Sequence, residues 1–385
     1  MSINFSALFS NAALPSSFVP SLPSGSMKFS VLDDAKAKAS KIEESAENKL
    51  AAAKSAVATE AQKISAKADS AKIELYSAKY YYTCALGGAV ACGATHALVT
   101  PLDLVKCRKQ VDKNLYKSNM DGWSKIMKTE GGFKGLYTGV GPTLLGYSMQ
   151  GAAKYGFYEY FKKTYADLAG PENAAKYKDA IYLAGSASAE FFADIALVPM
   201  ETVKVRMQTT FPPFASGAIA GVNKVVATDG AGALTPSPVT GLCSLFKSLP
   251  SLWSRQIPYT MMKFWSFEGF VQAIYARIPK PRSECTKLEQ LGVSAAAGYA
   301  AGVFCAIVSH PADTMVSKLN APLAPGAPKP SVGSIYKDIG FSGLWGGLGT
   351  RIIMIGTLTA LQWLIYDTFK VTMGLPTTGA AEPKK

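Results

Sequence analysis

Three carboxylates share one face of an apolar stretch at residues 186–208. Wound as an α-helix at about 100° per residue, the stretch places Glu190, Asp194 and Glu201 within roughly 40° of one another. It is long enough to enter a bilayer, and Pro199 should bend its axis because proline removes a helix hydrogen bond. Carboxylates at membrane depth are costly, and in practice they face a water-filled cavity and carry function. The pattern therefore predicts a bent helix that lines a transport path.

The residues around Pro199 form a frame that occurs three times in the chain. Two copies match position for position: Pro101, Asp103, Lys106, Arg108, Gln110 and Pro199, Glu201, Lys204, Arg206, Gln208. The third copy keeps the proline and the acid but replaces the first basic residue: Pro311, Asp313, Val316, Lys318, Asn320. The prolines are 98 and 112 residues apart, so the repeat is about a hundred residues long. Each repeat is expected to bury its apolar face against its neighbours.

The composition favours a membrane protein over a soluble enzyme, since 48% of the 385 residues are hydrophobic and only 17% are charged. A spanning helix needs ~20 apolar residues. Six segments qualify, two in each repeat: roughly 80–110, 141–163, 177–208, 250–276, 287–318 and 346–372. Gly, Pro and a few charges interrupt them, so each is predicted to line a cavity rather than to face lipid all round. We therefore predict an all-α membrane protein of three repeats, with six transmembrane helices around a central cavity and short helices outside the bilayer.

The net charge and the cysteines indicate which kinds of ligand this membrane protein suits. The net charge is +13, of which residues 1–79 contribute +2 through ten Lys and eight acidic residues. A basic membrane protein suits anionic lipid and anionic solutes, and no motif supports nucleic-acid binding. No nucleophile beside a base, phosphate-cradling Gly loop or metal-ligand spacing is visible, so no enzyme, cofactor or metal site is predicted. The six Cys form no C-x-x-C pair and are interpreted as free thiols in a reducing compartment.

The segments outside the repeats are polar. Residues 1–32 form a Ser- and Pro-rich leader that is predicted to be disordered, without a visible transit peptide or secretory signal. Residues 33–79 alternate Ala, Lys, Glu and Ser and are predicted to form an exposed charged helix. Three repeats and a short tail follow, at 80–170, 171–280, 281–373 and 374–385. An insertion around 231–241 leaves the placement of the matrix helix in the second repeat open, and residues 321–332 are expected to replace any long matrix helix in the third.

The thrice-repeated Pro-x-[Asp/Glu]-x-x-[Lys/Arg]-x-[Lys/Arg], followed by an acidic-Gly element, resembles the mitochondrial carrier family over residues 80–373. Finer strings such as Ser-Ala-Glu-Phe-Phe-Ala-Asp (188–194) and Arg-Gln-Ile-Pro-Tyr (255–259) resemble those members that import inorganic phosphate with a proton, or in exchange for hydroxide. The resemblance implies a multi-pass protein of the mitochondrial inner membrane that works by alternating access. It also implies a monomer in contact with inner-membrane lipid, with cardiolipin as one candidate.

The resemblance implies a gate at the matrix end, where the acidic residue of one repeat pairs with the first basic residue of the next. The expected pairs are Asp103–Lys204 and Asp313–Lys106. Glu201 would face Val316 and is left without an ion-pair partner, unless Lys318 replaces it. An unpaired carboxylate in a poorly hydrated site accepts a proton readily near neutral pH, so Glu201 suits a proton acceptor.

A second gate is implied at the cytoplasmic end by the family's aromatic-acidic-x-x-basic element. Its acids and bases are Glu159 with Lys162, Asp367 with Lys370, and Glu268 with Val271 in place of a base. Each gate is therefore predicted to hold two ion pairs instead of three. Neighbouring hydrogen bonds are the alternative way to satisfy the remaining acids.

Counting back from the cytoplasmic-gate acids along the even helices predicts the solute site. Five residues earlier stand Lys154, Lys263 and Gln362, and thirteen earlier stand Gly146, Arg255 and Met354. The second set lies at the level where this family contacts its solute. Arginine offers a planar fork for phosphate oxygens and lysine adds point charge. The predicted substrate-binding residues for a small tetrahedral dianion are therefore Arg255, Gln256, Gln150, Lys154 and Lys263.

The proton-coupling residues are predicted separately. The resemblance implies that they are His96, Glu190 and Glu201.

Other interpretations remain open from the sequence. One is a carrier of another small anion or of copper, with Cys92 as the ligand, and another is a non-transporting membrane scaffold whose leader recruits partners. Asp194 is either a third proton site or a capped acid. Arg351 either contacts the solute or anchors its helix at the membrane interface. His310, directly before a proline, is predicted to be structural.

Overall fold

A computed structural model of the chain describes residues 55, 59, 73–112, 114–231, 237–319, 331–346 and 348–378. The predicted leader and most of the charged extension lie outside the described residues. Twelve α-helices follow one another in the described part: α1 (Ala78–Leu98), α2 (Thr100–Val111), α3 (Asn119–Thr129), α4 (Phe133–Leu136), α5 (Val140–Lys176), α6 (Lys178–Thr209), α7 (Ala218–Ala231), α8 (Pro238–Ser244), α9 (Leu249–Tyr275), α10 (Lys287–Leu319), α11 (Val332–Gly343) and α12 (Leu348–Thr372).

The long helices form a closed ring within residues 61–385. Helix α1 contacts α5, and the contacts continue from α5 to α6, α9, α10 and α12, which returns to α1. Helix α2 continues α1, while the shorter helices α3, α4, α7, α8 and α11 connect the ring members at one end. We call this end, which carries the three proline frames, the motif end, and we call the other the opposite end. The predicted all-helical architecture is confirmed for the described part.

Length and hydropathy identify membrane spans among these helices. Residues Lys178–Thr209, Lys287–Met315 and Arg351–Thr372 qualify alone, and α1 with α2 qualifies as a bent pair. Helices α5 and α9 have 37 and 27 residues, which exceeds the ~20 that a span needs. They do not meet the same hydropathy test. The described part thus holds up to four apolar spans, and the count of six stays a prediction.

The prolines of the repeated frame lie within the long helices of the ring or at a break in them. Helices α1 and α2 meet at an angle of 61°, and Pro101 lies in the first turn of α2. Backbone N–H groups in the first turn form no hydrogen bond within the helix, so a proline there removes none. Pro199 and Pro311 lie inside α6 and α10. The frame therefore marks the same structural position in each repeat.

Glycines bring the first two ring helices into backbone contact. A Cβ at Gly88 on α1 would lie 2.3 Å from the carbonyl oxygen of Gly151 on α5, and one at Gly151 would lie 2.2 Å from that of Gly88. The third repeat has a similar backbone contact, because a Cβ at Gly302 on α10 would lie 2.7 Å from the Cα of Gly356 on α12. Small residues let membrane helices approach closely.

The third repeat has a short helix at the end of its Pro-rich stretch. A 12-residue helix, α11, begins directly after Ser331, whose side chain forms a reciprocal capping box with Ser334, and Ile335 is buried. Most of residues 321–332, which were expected to replace any long matrix helix, lie outside the described residues, and the cap and the apolar anchor of this 12-residue helix lie at and just beyond the end of that stretch. In the second repeat α7 is the outer helix, and Val225 packs it on Val203 of α6.

Candidate transport site

A cavity of about 190 Å³ lies inside the ring, which is room for several waters at ~30 Å³ each. It is lined on the α5 and α9 side by all the predicted substrate-binding residues: Arg255, Gln256, Gln150, Lys154 and Lys263. Cys92, His96, Asp103 and Lys106 line it along α1 and α2 down to the motif end. The offsets counted along the sequence therefore bring these side chains to one space, and Gln362 joins them from α12.

The acids of α6 lie behind the cavity wall. Glu190 and Asp194 are fully buried, and the lining residues in front of them are Lys154 and Gln150 on α5. Lys154 Nζ lies 2.9 Å from Glu190 Oε2. Gln150 Nε2 lies 3.1 Å from both Glu190 Oε1 and Asp194 Oδ1. The sequence predicted a water-facing acidic surface here, whereas the structure buries these two acids against α5.

Two cavity cations on α9, Lys263 and Arg255, have no acid beside them among the described residues. Lys263 Nζ lies 3.3 Å from Gln362 Oε1, and neither Lys263 nor Arg255 forms an ion pair with any residue that the structure describes. Arg255 is also solvent-accessible in the cavity. The arrangement leaves two uncompensated positive charges where an anion can enter.

His96 is held from two sides. Its Nδ1 lies 2.9 Å from the carbonyl oxygen of Cys92, and because a carbonyl only accepts, Nδ1 carries the hydrogen. Its ring stacks on Tyr147 of α5 at 3.7 Å between ring centroids and 9° between planes. Lys204 Nζ lies 5.1 Å from the same tyrosine ring. Sequence reasoning missed Tyr147, since no spacing rule identifies an aromatic partner on another helix.

The motif end contains one of the expected ion pairs. Lys204 Nζ lies 2.5 Å from Asp103, as predicted, and also 3.3 Å from Glu201. The expectation that Glu201 lacks an ion-pair partner is therefore wrong, because the lysine one turn further along α6 reaches both acids. The side chains of Val316 and Lys318 lie outside the described residues.

The second expected matrix pair is also corrected. Asp313 forms its ion pair with Arg351 on the neighbouring helix α12, and no bond joins it to Lys106 in the described part of the chain. Arg351 Nη2 additionally donates to Ser309 Oγ at 3.0 Å. Asp313 on α10 therefore pairs with Arg351 on the adjacent helix and not with Lys106 on α2. Arg351, left open by the sequence, is thus a partner of the frame acid.

The second basic residue of each described frame binds the acidic-Gly element. Arg206 donates to Asp229 through two nitrogens at 2.9 and 2.6 Å, and Arg108 binds Glu130 in the same forked way. The guanidinium of Arg206 holds the pKa of Asp229, on the outer helix α7, below its usual value. These pairs fix the short helices to the ring. The sequence showed both parts of the motif but not their contact.

Aromatic side chains close the opposite end of the ring. Six are fully buried there: Tyr155, Tyr158, Phe264, Phe267, Trp363 and Tyr366. Phe267 stacks on Trp363 at 3.6 Å between centroids and 4° between planes. The cavity therefore ends at this aromatic layer and extends instead towards Lys106, which is exposed at the motif end.

The predicted cytoplasmic gate residues lie at this closed end and are arranged differently from the prediction. Lys162 Nζ lies 2.9 Å from Glu159 and 3.9 Å from Glu268, so one lysine serves two acids. Asp367 forms no ion pair with Lys370 or any other described residue. Hydrogen bonds take that place, which is the alternative that the sequence left open.

The residues just after α12 supply those hydrogen bonds. Asp367 accepts from the backbone N–H of Thr378 at 2.9 Å, from its Oγ1 at 2.7 Å, and from Ser294 Oγ. Lys370 Nζ lies 3.3 Å from Thr378 Oγ1, and Leu375 and Thr378 are buried. The sequence predicted only a tail here, because a short non-periodic segment has no pattern that reports its docking.

We expect Thr378→Val to destabilise the protein by about 1–3 kcal/mol, because it removes a hydrogen bond from a buried carboxylate without changing the side chain's shape. The thermal unfolding midpoint of the purified protein in detergent measures the effect. Thr372→Val is the matched control, since the Thr372 hydroxyl donates to the carbonyl oxygen of Phe369 in its own helix at 2.7 Å. Equal midpoints for the two variants would contradict the prediction.

Two other sequence interpretations are now tested in part. All six Cys are free, as expected. His310 is buried and its Nε2 lies 3.1 Å from the carbonyl oxygen of Gly346, which fits a structural role. No group of three His, Cys, Asp or Glu side chains suited to a metal ion occurs among the described residues, so the structure adds nothing in favour of copper.

A closed ring of long, partly apolar helices with a threefold proline frame and an internal cationic cavity defines a membrane solute carrier. The chain belongs to the mitochondrial carrier family, because the profile described as "Mitochondrial carrier protein" matches residues 77–168, 176–277 and 288–375. It is therefore a multi-pass protein of the mitochondrial inner membrane with three repeats, as the sequence predicted.

Individual relatives are similar over most of the chain. It is 54% identical over 309 residues to the "Probable mitochondrial phosphate carrier protein" of Schizosaccharomyces pombe, covering 80% of this chain and 96% of that one. It is 58% identical over 313 residues to "Mitochondrial phosphate carrier protein 3" of Arabidopsis thaliana, covering 81% and 79%. It is 53% identical over 308 residues to the "Phosphate carrier protein, mitochondrial" of Caenorhabditis elegans, covering 79% and 85%.

Proposed function

We propose that this protein imports inorganic phosphate into the mitochondrial matrix with a proton, or in exchange for hydroxide, by alternating access. The observation that carries the proposal is the pair of cavity cations, Arg255 and Lys263, that have no acid partner among the described residues. A guanidinium offers a planar fork of donors to phosphate oxygens, and an ammonium adds point charge. The relatives described above are all named as phosphate carriers, which supports phosphate as the solute.

The proton is proposed to use His96, Glu190 and Glu201. His96 faces the cavity, Glu190 lies directly behind Lys154, and Glu201 lies towards the motif end beside Lys204. The three side chains are thus distributed from the middle of the ring to one end. Histidine is the side chain whose ordinary titration range includes physiological pH, and buried acids are typical of proton relays in transporters.

Alternating access is supported by the unequal ends of the ring. The aromatic layer and the bonds of Glu159, Lys162, Glu268 and Asp367 close the opposite end, which we take as the cytoplasmic gate. At the motif end, which we take as the matrix gate, Asp103 shares Lys204 with Glu201, and the cavity reaches Lys106. Because one chain closes the ring, we also propose a monomer as the working unit, surrounded by inner-membrane lipid.

The proposal is tested by uptake of labelled phosphate into liposomes that contain the purified protein, with and without an inward proton gradient. Arg255→Gln should lower uptake at limiting phosphate at least about a hundredfold, because two charged hydrogen bonds of ~1.5 kcal/mol each are lost. Arg277→Gln is the control, since that exposed arginine bonds only the carbonyl of Ala273 at the end of α9. Folded protein that takes up no phosphate, or Arg255→Gln with normal uptake, would overturn the proposal.

A further inference from the structure

Asp194 lies beside Glu190 without a cation of its own. The two acids are one turn apart on α6 and both are fully buried. Lys154, the ammonium group that forms an ion pair here, lies 2.9 Å from Glu190, and Asp194 forms no ion pair in the described part of the chain. Two buried carboxylates therefore share one ammonium group.

The hydrogen bonds of this pair are short by one donor. Gln150 Nε2 has two hydrogens, and they are used by Glu190 Oε1 and Asp194 Oδ1 at 3.1 Å each. Asp194 Oδ2 is buried and has no hydrogen-bond partner among the described residues. A buried charge without a full set of donors is costly. A proton on one of the two carboxyl groups supplies the missing donor and removes one negative charge.

The groups that face the pair come from three helices. Helix α5 supplies Gln150 and Lys154, and the cavity in front of these two is lined by the thiol of Cys92 and the half-buried His96 from α1 and by Lys263 from α9. While the cavity is empty, Lys154 pairs with Glu190, and Lys263 lies across the cavity without an acid partner among the described residues. An anion bound at Lys263 adds negative charge to the cavity in front of the two acids, and the pair then favours a proton.

We propose that Asp194 and Glu190 hold one proton between them, and that anion binding at Lys263 and Arg255 loads this proton. The inference rests on the proposed function and deepens it, because it names the group that couples the proton to phosphate. Asp194 is then a proton-holding residue, and the coupling is electrostatic and reciprocal: phosphate raises the affinity for the proton, and the proton raises the affinity for phosphate.

Asp194→Asn tests the proposal, because an amide mimics a permanently protonated acid and can donate to Glu190. The variant should fold with wild-type stability and keep phosphate–phosphate exchange, which needs no net proton movement. Stimulation of uptake by the proton gradient should fall at least about tenfold. Asp179→Asn, an exposed acid in the first turn of the same helix, should behave as wild type in every assay.

A spectroscopic measurement separates this proposal from the assignment of the solute. Infrared difference spectra of the wild type, recorded with and without inorganic phosphate, should show the carbonyl band of a protonated carboxyl that grows with phosphate and is lost in Asp194→Asn. The proposal is overturned if Asp194→Asn keeps full gradient stimulation, if it fails to fold, if exchange falls in parallel, or if no such band exists. A wild type that binds no phosphate would instead refute the proposed function.

Discussion

Lys154→Met should abolish phosphate uptake and destabilise the protein by about 3–5 kcal/mol, because it leaves buried acids without their cation. Lys154 is 4% exposed, and its Nζ lies 2.9 Å from Glu190 and 3.5 Å from Thr260 Oγ1. Methionine keeps most of the volume but provides no charge and no donor. The expected result is a lower unfolding midpoint in detergent together with loss of uptake into liposomes.

The cause of that loss is checked with a second substitution. Lys154→Met combined with Glu190→Gln should recover most of the stability, because the ammonium and its acid are then removed together, and a double-mutant cycle measures their coupling. Transport should stay absent in the double variant, since the cavity has still lost a cation. Stability that is no better than that of Lys154→Met would show that the lysine acts through packing alone.

Lys163→Met is the matched control for Lys154→Met. This lysine lies on the same helix, α5, and its pair with Asp167 is at the surface, with 35% and 64% of the two side chains exposed. Surface pairs contribute ~0–1 kcal/mol, so the control should keep nearly all of its stability and transport. The contrast isolates burial, because the substitution and the helix are the same.

Gly151→Ala gives the second large effect, a destabilisation of about 1–3 kcal/mol or more from overpacking. Its new Cβ would lie 2.2 Å from the carbonyl oxygen of Gly88 and 2.7 Å from the Cβ of Cys92. Because both partners belong to or adjoin the backbone of α1, no flexible side-chain end can move aside. We expect a strongly reduced unfolding midpoint and poor recovery of folded protein from membranes.

Gly269→Ala provides the opposite expectation for the same chemical change. This glycine lies inside α9, and a Cβ there would meet no atom within 4 Å. Alanine is favoured over glycine inside helices by ~1 kcal/mol, so this variant should be as stable as the wild type or more stable. If both alanine variants unfold at the same temperature, the backbone contact between α1 and α5 does not stabilise the ring.

Spacing along the sequence predicted the helical repeats and brought residues of α5, α9 and α12 to one cavity. Repeats related by a common frame place equivalent positions at equal depths, so counting back from Glu159, Glu268 and Asp367 was enough to bring Lys154, Lys263 and Gln362 together. The offset also identified Arg255. Period and offset are local properties of a helix, and they are kept in the folded protein because the three repeats use equivalent helices.

Partner choice between helices was decided only by the tertiary structure. Lys204 binds Glu201 as well as Asp103, Asp313 turns to Arg351, and Asp367 is satisfied by Thr378 from beyond the last helix. In each case several acids and bases lie within reach, and the choice depends on the tilt, depth and separation of neighbouring helices. A linear pattern specifies which face a side chain occupies, but the distance between two faces is set by packing, including the glycine contact of α1 with α5.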